Sequence, residues 1–356
     1  MKELCISGSQ AVKLCEWYEK NRRDLPWRVS NDPYDVWLSE IMLQQTRIEA
    51  VKRRYTEFQA ELPSIAAVAE CEEDRLMRLW EGMGYYSRAR NLKKCAETLM
   101  QEYDGSFPAD EAKLKKLPGI GPYTAGAIAS ICFDLPVPAV DGNVMRVISR
   151  LFLIQDDIRD AKTKKQMEQM IRSLLEKGTV PPSVFNQALM ELGEVVCVPN
   201  GTPLCERCPL ADSCQAHRKN MTDAIPFRSE LKQRRIEPRT LLIIRDGSRF
   251  LIHKRPKSGL LASLYEFYGV SAELNEKDAL REVEKLGLMP LRIRVLPESK
   301  HIFTHKEWHM KAYEIMVEDA SQFSGESMFL VTKKELASLA VPSAFKTYLD
   351  WYSLGD

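Results

Sequence analysis

Apolar residues in the first two-thirds of the chain recur with a helical period. From Val36 to Tyr55, Leu38, Ile41, Met42, Ile48 and Val51 return at roughly 3.6-residue spacing, which predicts one helix with Glu40 and Gln44 on a neighbouring stripe. The same reasoning predicts helices at 64–69, 72–80, 87–102, 110–116, 142–152, 162–175 and 183–196, with no strand-like alternation among them. Around Pro226–Arg239 the character changes: FRSELKQRRIEPRT is polar and basic and closes on Pro238, as a linker would. Beyond it, runs of β-branched and aliphatic residues at 239–245 and 249–254 flank Asp246-Gly247-Ser248, a hairpin signal. Strands are also predicted at 291–297 and 307–317, and helices at 278–286 and 333–339. The expected organisation is multidomain: an all-α domain over 1–225, a basic linker over 226–238 and a smaller α+β domain over 239–356. The length of 356 residues, too large for one typical core, agrees with two domains.

Composition narrows the class only a little. The net charge of +1 does not advertise a nucleic-acid binder, although a local basic face suffices for one. In the linker, Arg228, Lys232, Arg234, Arg235 and Arg239 fit either a phosphate-facing tract or an ordinary solvated segment. Met1–Lys20 is interrupted by Lys2, Glu3, Lys13, Glu16 and Glu19, unlike a secretory leader. The apolar run near Ala125–Val140 is shorter than the ~20 residues of a membrane span. A cytoplasmic chain free of the membrane is expected. Of nine cysteines, five stand singly, at 5, 15, 71, 95 and 132, and read as thiols filling the core.

Three constellations carry chemistry. In LPGIGPYTAGAI (117–128), Gly119 and Gly121 can take positive φ and leave backbone N–H groups bare, and Pro122 suits the first turn of a helix whose positive end favours a phosphate. An ordinary turn between two helices has the same look. That segment leads to Asp141, whose Asp-Gly-Asn context also suits a helix cap. The third is Cys197, Cys205, Cys208 and Cys214, spaced C-x7-C-x2-C-x5-C, four thiolates that could wrap zinc or an iron–sulfur cube. Only one C-x-x-C knuckle is present, which leans toward the 4Fe–4S cluster.

Taken together, the chain resembles the base-excision DNA glycosylases of the endonuclease III superfamily, and within them the MutY-type adenine DNA glycosylases. The likeness covers nearly all of it and rests on DLPWR (24–28), LSEIMLQQTRIEAV (38–51), WEGMGYYSRARNL (80–92), LPGIGPYTAGAI (117–128), AVDGNVMRV (139–147), FNQALMELGEVVC (185–197) and GLLASLYEF (259–267). The gap of seven between Cys197 and Cys205, where the family commonly has six, is one departure; a Pro199-Asn200-Gly201 loop should absorb it.

What the resemblance implies is specific. The fold is a helix-hairpin-helix glycosylase domain with a structural 4Fe–4S cluster, followed by a Nudix-like domain. The activity is removal of adenine mispaired with 8-oxoguanine or guanine in double-stranded DNA, by a monomer found in the cytoplasm and on the nucleoid. Glu40 matches the general acid, and Asp141 the carboxylate that stabilises or bonds to C1′, with Tyr123 and Asn143 beside them. Lyases of the superfamily carry at position 123 a lysine that forms a Schiff base, so Tyr123 implies base removal without strand cutting. Gln45 and Tyr85 match residues that wedge into the duplex. Arg23, Arg28 and Gln187 match the adenine pocket, as does Trp27, which equally suits a packed core. Thr46, Arg47, Tyr86, Ser87, Gly119 and Gly121 match further DNA contacts. In the second domain the pyrophosphatase motif is degenerate: Arg281-Glu282-Val283-Glu284-Lys285-Leu286-Gly287 lacks the acidic pair that would hold magnesium. The family's Phe-Ser-His loop, which reads 8-oxoguanine, stands here as Phe303-Thr304-His305. Phe303 also fits a buried strand position.

Overall fold

A computed structural model of the chain describes residues 5–230 and 233–353, so Lys2, Glu3 and Lys232 lie outside the described residues. The chain divides into two compact units, one drawn from Met1–Cys71 and Asn91–Glu230, the other from Glu72–Arg90 and Leu231–Asp356.

The first unit is helical. Its described elements are α1 (Gly8–Asn21), α2 (Pro33–Leu43), α3 (Ile48–Glu61) and α4 (Ile65–Glu70); α5 (Glu73–Leu79) belongs to the second unit, and α6 (Ser87–Glu102) crosses the boundary. There follow α7 (Glu111–Leu114), α8 (Pro122–Phe133), α9 (Gly142–Phe152), α10 (Ala161–Leu175), α11 (Pro182–Val195) and α12 (Gln215–Arg218). One core joins Leu14 and Tyr18 of α1 with Val147 and Ile148 of α9, Met167 and Ile171 of α10 and Phe185 and Leu189 of α11. The helix expected from Val36 to Tyr55 is in fact two. Gln44-Gln45-Thr46-Arg47 offers nothing apolar to bury, and Gln45 turns left-handed at φ 57°, so the chain changes direction between α2 and α3.

Two glycines let elements approach closely. A Cβ on Gly126 of α8 would lie 2.1 Å from the Pro138 carbonyl oxygen, and one on Gly193 of α11 would lie 2.6 Å from the Asn143 Cβ. Both contacts hold the loop and first turn that carry Asp141.

The second unit is built on a six-stranded sheet in the order β4-β5-β1-β3-β2-β6. Its strands are β1 (Arg235–Asp246), β2 (Arg249–Lys254), β3 (Tyr265–Val270), β4 (Pro290–Ile302), β5 (Lys306–Val317) and β6 (Met328–Thr332), and its helices are α13 (Glu276–Lys285), α14 (Lys333–Leu336) and α15 (Lys346–Ser353). β1 and β5 run parallel from the pair Arg235/Lys306 to Arg245/Met316, while the other pairings are antiparallel. α13 covers one face through Ala279 and Val283, and Leu336, Phe345 and Tyr348 cover the other. The pairing of β1 begins at Arg235, inside the stretch expected as linker. Its basic residues are partly consumed by the sheet: Arg234 pairs with Glu307 at 3.8 Å, and Arg239 is 7 % exposed, which removes it from any phosphate-facing tract.

The 72–90 segment is tied to this sheet. Asp74 accepts from the Tyr265 hydroxyl at 2.7 Å and pairs with Lys254 at 3.1 Å, and Arg90 donates to the Ala262 carbonyl at 2.8 Å.

Candidate active site

In the first unit, α2, the loop after it, α8, α9 and α11 enclose a cavity of about 600 Å³. Arg23, Trp27, Arg28, Glu40, Gln45, Thr46, Arg47, Tyr123, Asp141, Asn143 and Gln187, all singled out above, line it together.

Glu40 lies on α2 between Ser39 and Ile41, both buried, and is itself only 9 % exposed. Burial pushes its carboxyl up to about 7; Asp141 adds to the shift, and the Tyr123 hydroxyl and Arg28 oppose it. Asp141 is at once an N-cap and a cavity residue. Its Oδ1 accepts from the Val144 N–H at 2.8 Å and its Oδ2 from Asn143 Nδ2 at 2.9 Å. Burial raises this carboxyl too, but bonds from Val144 and Asn143 and the charge of Arg146 favour its ionised form. Both carboxyls are thus displaced upward by burial, Glu40 without and Asp141 with hydrogen bonds from neighbouring N–H groups that oppose the shift. The Tyr123 hydroxyl lies 3.1 Å from the Met190 sulfur and within hydrogen-bonding reach of Glu40. A thioether is a weak acceptor, so an ionised Glu40 accepts the Tyr123 hydrogen bond in preference.

The sequence pattern did not signal several residues that organise this cavity. Glu191, with its side chain 1 % exposed, accepts from Arg23 Nε at 2.7 Å and from Arg28 at 2.8 Å. Burial alone would raise its carboxyl; hydrogen bonds from Arg23 and Arg28 overcome this and hold it down to about 2. The two arginines expected at the adenine pocket thus pair with a buried carboxylate and line the cavity beside it. Tyr18 fixes Gln187 by donating to its Oε1 at 3.0 Å. Trp27 is both packed and lining: it is 6 % exposed and meets the Tyr55 ring edge-on at 5.4 Å. Arg146 joins the Asn143 Oδ1 at 2.7 Å, the Gly193 carbonyl at 2.8 Å and the Cys197 carbonyl at 2.6 Å. An E-x-x-x-x-x-C or R-x-x-x-R spacing alone gives no hint of these partners, most of which lie far away in sequence.

The glycines of the hairpin differ. Gly119 has φ +76°, and a Cβ there would lie 2.7 Å from the Asn91 Cβ. Gly121 has φ −86°, contrary to the expected positive φ, because it caps α8 in an extended conformation; open space surrounds it, which leaves the α8 N-terminus bare.

The four cysteines sit half-buried between α11 and α12. Arg150, itself buried, donates to the Cys197 sulfur at 3.3 Å. Burial raises the thiols of Cys205, Cys208 and Cys214, Cys208 to about 12, and the charge of Cys197 adds to each shift. Among the described residues no group of three or more His, Cys, Asp and Glu forms a site for a metal ion. The extra residue of the x7 gap is absorbed at the surface: Asn200 and Gly201 are exposed, Gly201 with φ +76°, and Leu204 N–H closes the loop on the Val196 carbonyl at 2.9 Å.

In the second unit, Tyr85 is exposed with φ 45°, and its hydroxyl lies 2.8 Å from Thr304 Oγ1. Thr304 and His305 are exposed at the β4–β5 tip, whereas Phe303 is half-buried. Ser87 is at the surface, but Tyr86, expected beside it as a DNA contact, is 6 % exposed and packs inward. On α13, Glu282 of the degenerate motif pairs with Lys285 one turn on, at 2.5 Å.

An all-helical unit with two dissimilar carboxyls in one cavity, followed by a mixed-sheet unit, defines a class. The family described as HhH-GPD superfamily base excision DNA repair protein matches residues 38–177, and the NUDIX domain family matches 239–351: this is a base-excision DNA N-glycosylase with a Nudix-like second domain. An adenine DNA glycosylase of Mus musculus is 32% identical over 95% of this chain and 77% of its own length. That of Buchnera aphidicola subsp. Baizongia pistaciae is 33% identical over 88% of both. The chain belongs to the adenine DNA glycosylase family. Among solved structures it is similar to a thermostable thymine-DNA glycosylase, with TM-score 0.52 and 26% identity, covering 59% of this chain and 95% of that one. Among the described residues no helix is long and apolar enough to cross a membrane.

Proposed function

We propose that this glycosylase hydrolyses the N-glycosidic bond of adenine mispaired with 8-oxoguanine, or with guanine, in duplex DNA. The observation that carries the reading is the pair Glu40 and Asp141 lining one cavity, both shifted upward by burial, with N–H donors from the α9 cap held only against the Asp141 oxygens. Cleavage of this bond requires a proton on the leaving base and negative charge beside the oxocarbenium ion that develops on the sugar. Glu40, pushed up to about 7, holds a proton near neutral pH and delivers it to adenine N7. Asp141, whose ionised form its cap hydrogen bonds favour against burial, faces the sugar carbon. Glu40, now a carboxylate, then takes a proton from the attacking water. Tyr123 puts a hydroxyl where a lyase would need an amine, so the chemistry ends at base removal.

The target base must leave the stack to enter the cavity. Gln45, at its left-handed turn, and Tyr85, at its own, are the wedges of this reading, and the Thr304–His305 tip reads the oxidised partner base. Four cysteine thiols on one short stretch between α11 and α12 suit a 4Fe–4S cluster, which Cys197, Cys205, Cys208 and Cys214 would hold as thiolates. When bound, the cluster supplies a rigid cross-link between α11 and the loop to α12.

A single-turnover assay on duplexes with adenine opposite 8-oxoguanine, guanine and thymine tests the reading. Fast release from the first, slower from the second and little from the third is expected; equal release from all three would overturn it.

A further inference from the structure

The β4–β5 hairpin closes with the Phe303 N–H donating to the Lys306 carbonyl at 2.8 Å. Phe303 turns away from its exposed neighbours Thr304 and His305 and meets the Trp308 ring edge-on at 4.7 Å. Trp308 is 3 % exposed, and its indole N–H donates to Glu237 at 3.2 Å. Over its ring, 4.0 Å from the centroid, lies the guanidinium of Arg239 on β1. That arginine is nearly as buried as the tryptophan, at 7 %. Its carboxylate neighbour Glu266 stands 3.9 Å away and is already held by Arg255 at 2.6 and 2.7 Å. Arg239 Nε has no hydrogen-bond partner. The close, well-aligned contact of this cation is therefore with the aromatic face rather than with an acid, and a desolvated cation makes the most of such a face.

We propose that Arg239 is a positioning residue for recognition of the base opposite the target adenine: stacked on Trp308, it fixes Phe303 and through it the Thr304–His305 tip. The inference rests on the reading of that tip as the 8-oxoguanine reader. Arg239 stands on the strand next to the hairpin, since β1 pairs with β5, and acts through Trp308 and Phe303. Lysine could replace its charge but not its flat stacking surface.

The test compares single-turnover rates on adenine opposite 8-oxoguanine and opposite guanine for the full-length protein and its Arg239→Met, Arg239→Lys and Thr304→Val variants. Both Arg239 variants are expected to lower the 8-oxoguanine-to-guanine rate ratio by about twofold to thirtyfold, the range of a desolvated cation–ring contact. Near-UV circular dichroism should report the altered Trp308 environment. A merely structural role would lower both rates together and leave the ratio unmoved. An unchanged ratio in folded Arg239→Met or Arg239→Lys protein, alongside a lowered ratio in Thr304→Val, would overturn the positioning role. An unchanged ratio in Thr304→Val would overturn the recognition reading beneath it.

Discussion

Replacing Glu40 by glutamine should make the protein more stable while removing its activity. The carboxyl is displaced upward from 4.5 to about 7, chiefly by burial, so its charged form is disfavoured in the folded state. At 1.36 kcal/mol per unit, roughly 2.5 units correspond to about 3 kcal/mol. The sign follows from proton binding. Between pH 4.5 and 7 the folded protein holds a proton on Glu40 that the unfolded chain has lost, so stability falls as pH rises through that window. Below 4.5 the two states are equally protonated at this site and the penalty is absent. Glu40→Gln has no such proton, so its stability advantage over wild type should grow by about 3 kcal/mol from pH 4.5 to pH 8. Urea unfolding of both proteins across that range, read by circular dichroism, measures the difference directly. Parallel stability curves would refute the argument, because they would mean that Glu40 ionises as freely in the fold as in water.

Gly126→Ala would place a methyl 2.1 Å from the Pro138 carbonyl oxygen, a backbone atom with no freedom to rotate away. It should cost about 1–3 kcal/mol in thermal or urea unfolding and slow base release by shifting the loop that ends at Asp141. Glu191→Gln leaves the Arg23 and Arg28 guanidiniums without their carboxylate; a loss of about 3 kcal/mol is expected at neutral pH. Wild-type stability from this group, held down to about 2, should disappear as pH falls from 4.5 to 2, and an acid titration in which the variant shows the same loss would contradict it. Purified protein should be brown, with Cys208→Ser losing colour and stability together; a colourless, zinc-loaded, fully active protein would exclude the cluster.

How far the sequence could be read differed between site and scaffold. The carboxyl pair, the hairpin glycines and the four cysteines are local in sequence or carried by family motifs, and the structure brings the cavity residues among them to one place. The turn at Gln45 was hidden because the apolar period resumes on its far side, and a left-handed glutamine carries no signal of the kind glycine does. β3 is hidden because Glu266 interrupts its apolar run; its buried charge is held by Arg255, which donates to both of its carboxylate oxygens. β6 is five residues long, too short to show a period. The parallel pairing of β1 with β5 joins segments some seventy residues apart, beyond the reach of any local pattern. The same holds for Glu191: nothing near it in sequence shows that two arginines from before α2 close on it. Asp141 is instructive in another way. Its capping geometry and its place in the cavity are one arrangement, since the bonds that cap α9 are those that oppose the upward shift burial gives its carboxyl.

The most direct test of the central claim is the pH dependence of adenine release under single-turnover conditions, measured for wild type and Glu40→Gln on a duplex with adenine opposite 8-oxoguanine. With Glu40 as the acid, the wild-type rate should fall about tenfold per unit above a pH near 7, and the variant should lose about 100-fold or more at every pH below it. A Glu40→Gln protein that releases adenine at the wild-type rate, with the same pH profile, would contradict the account.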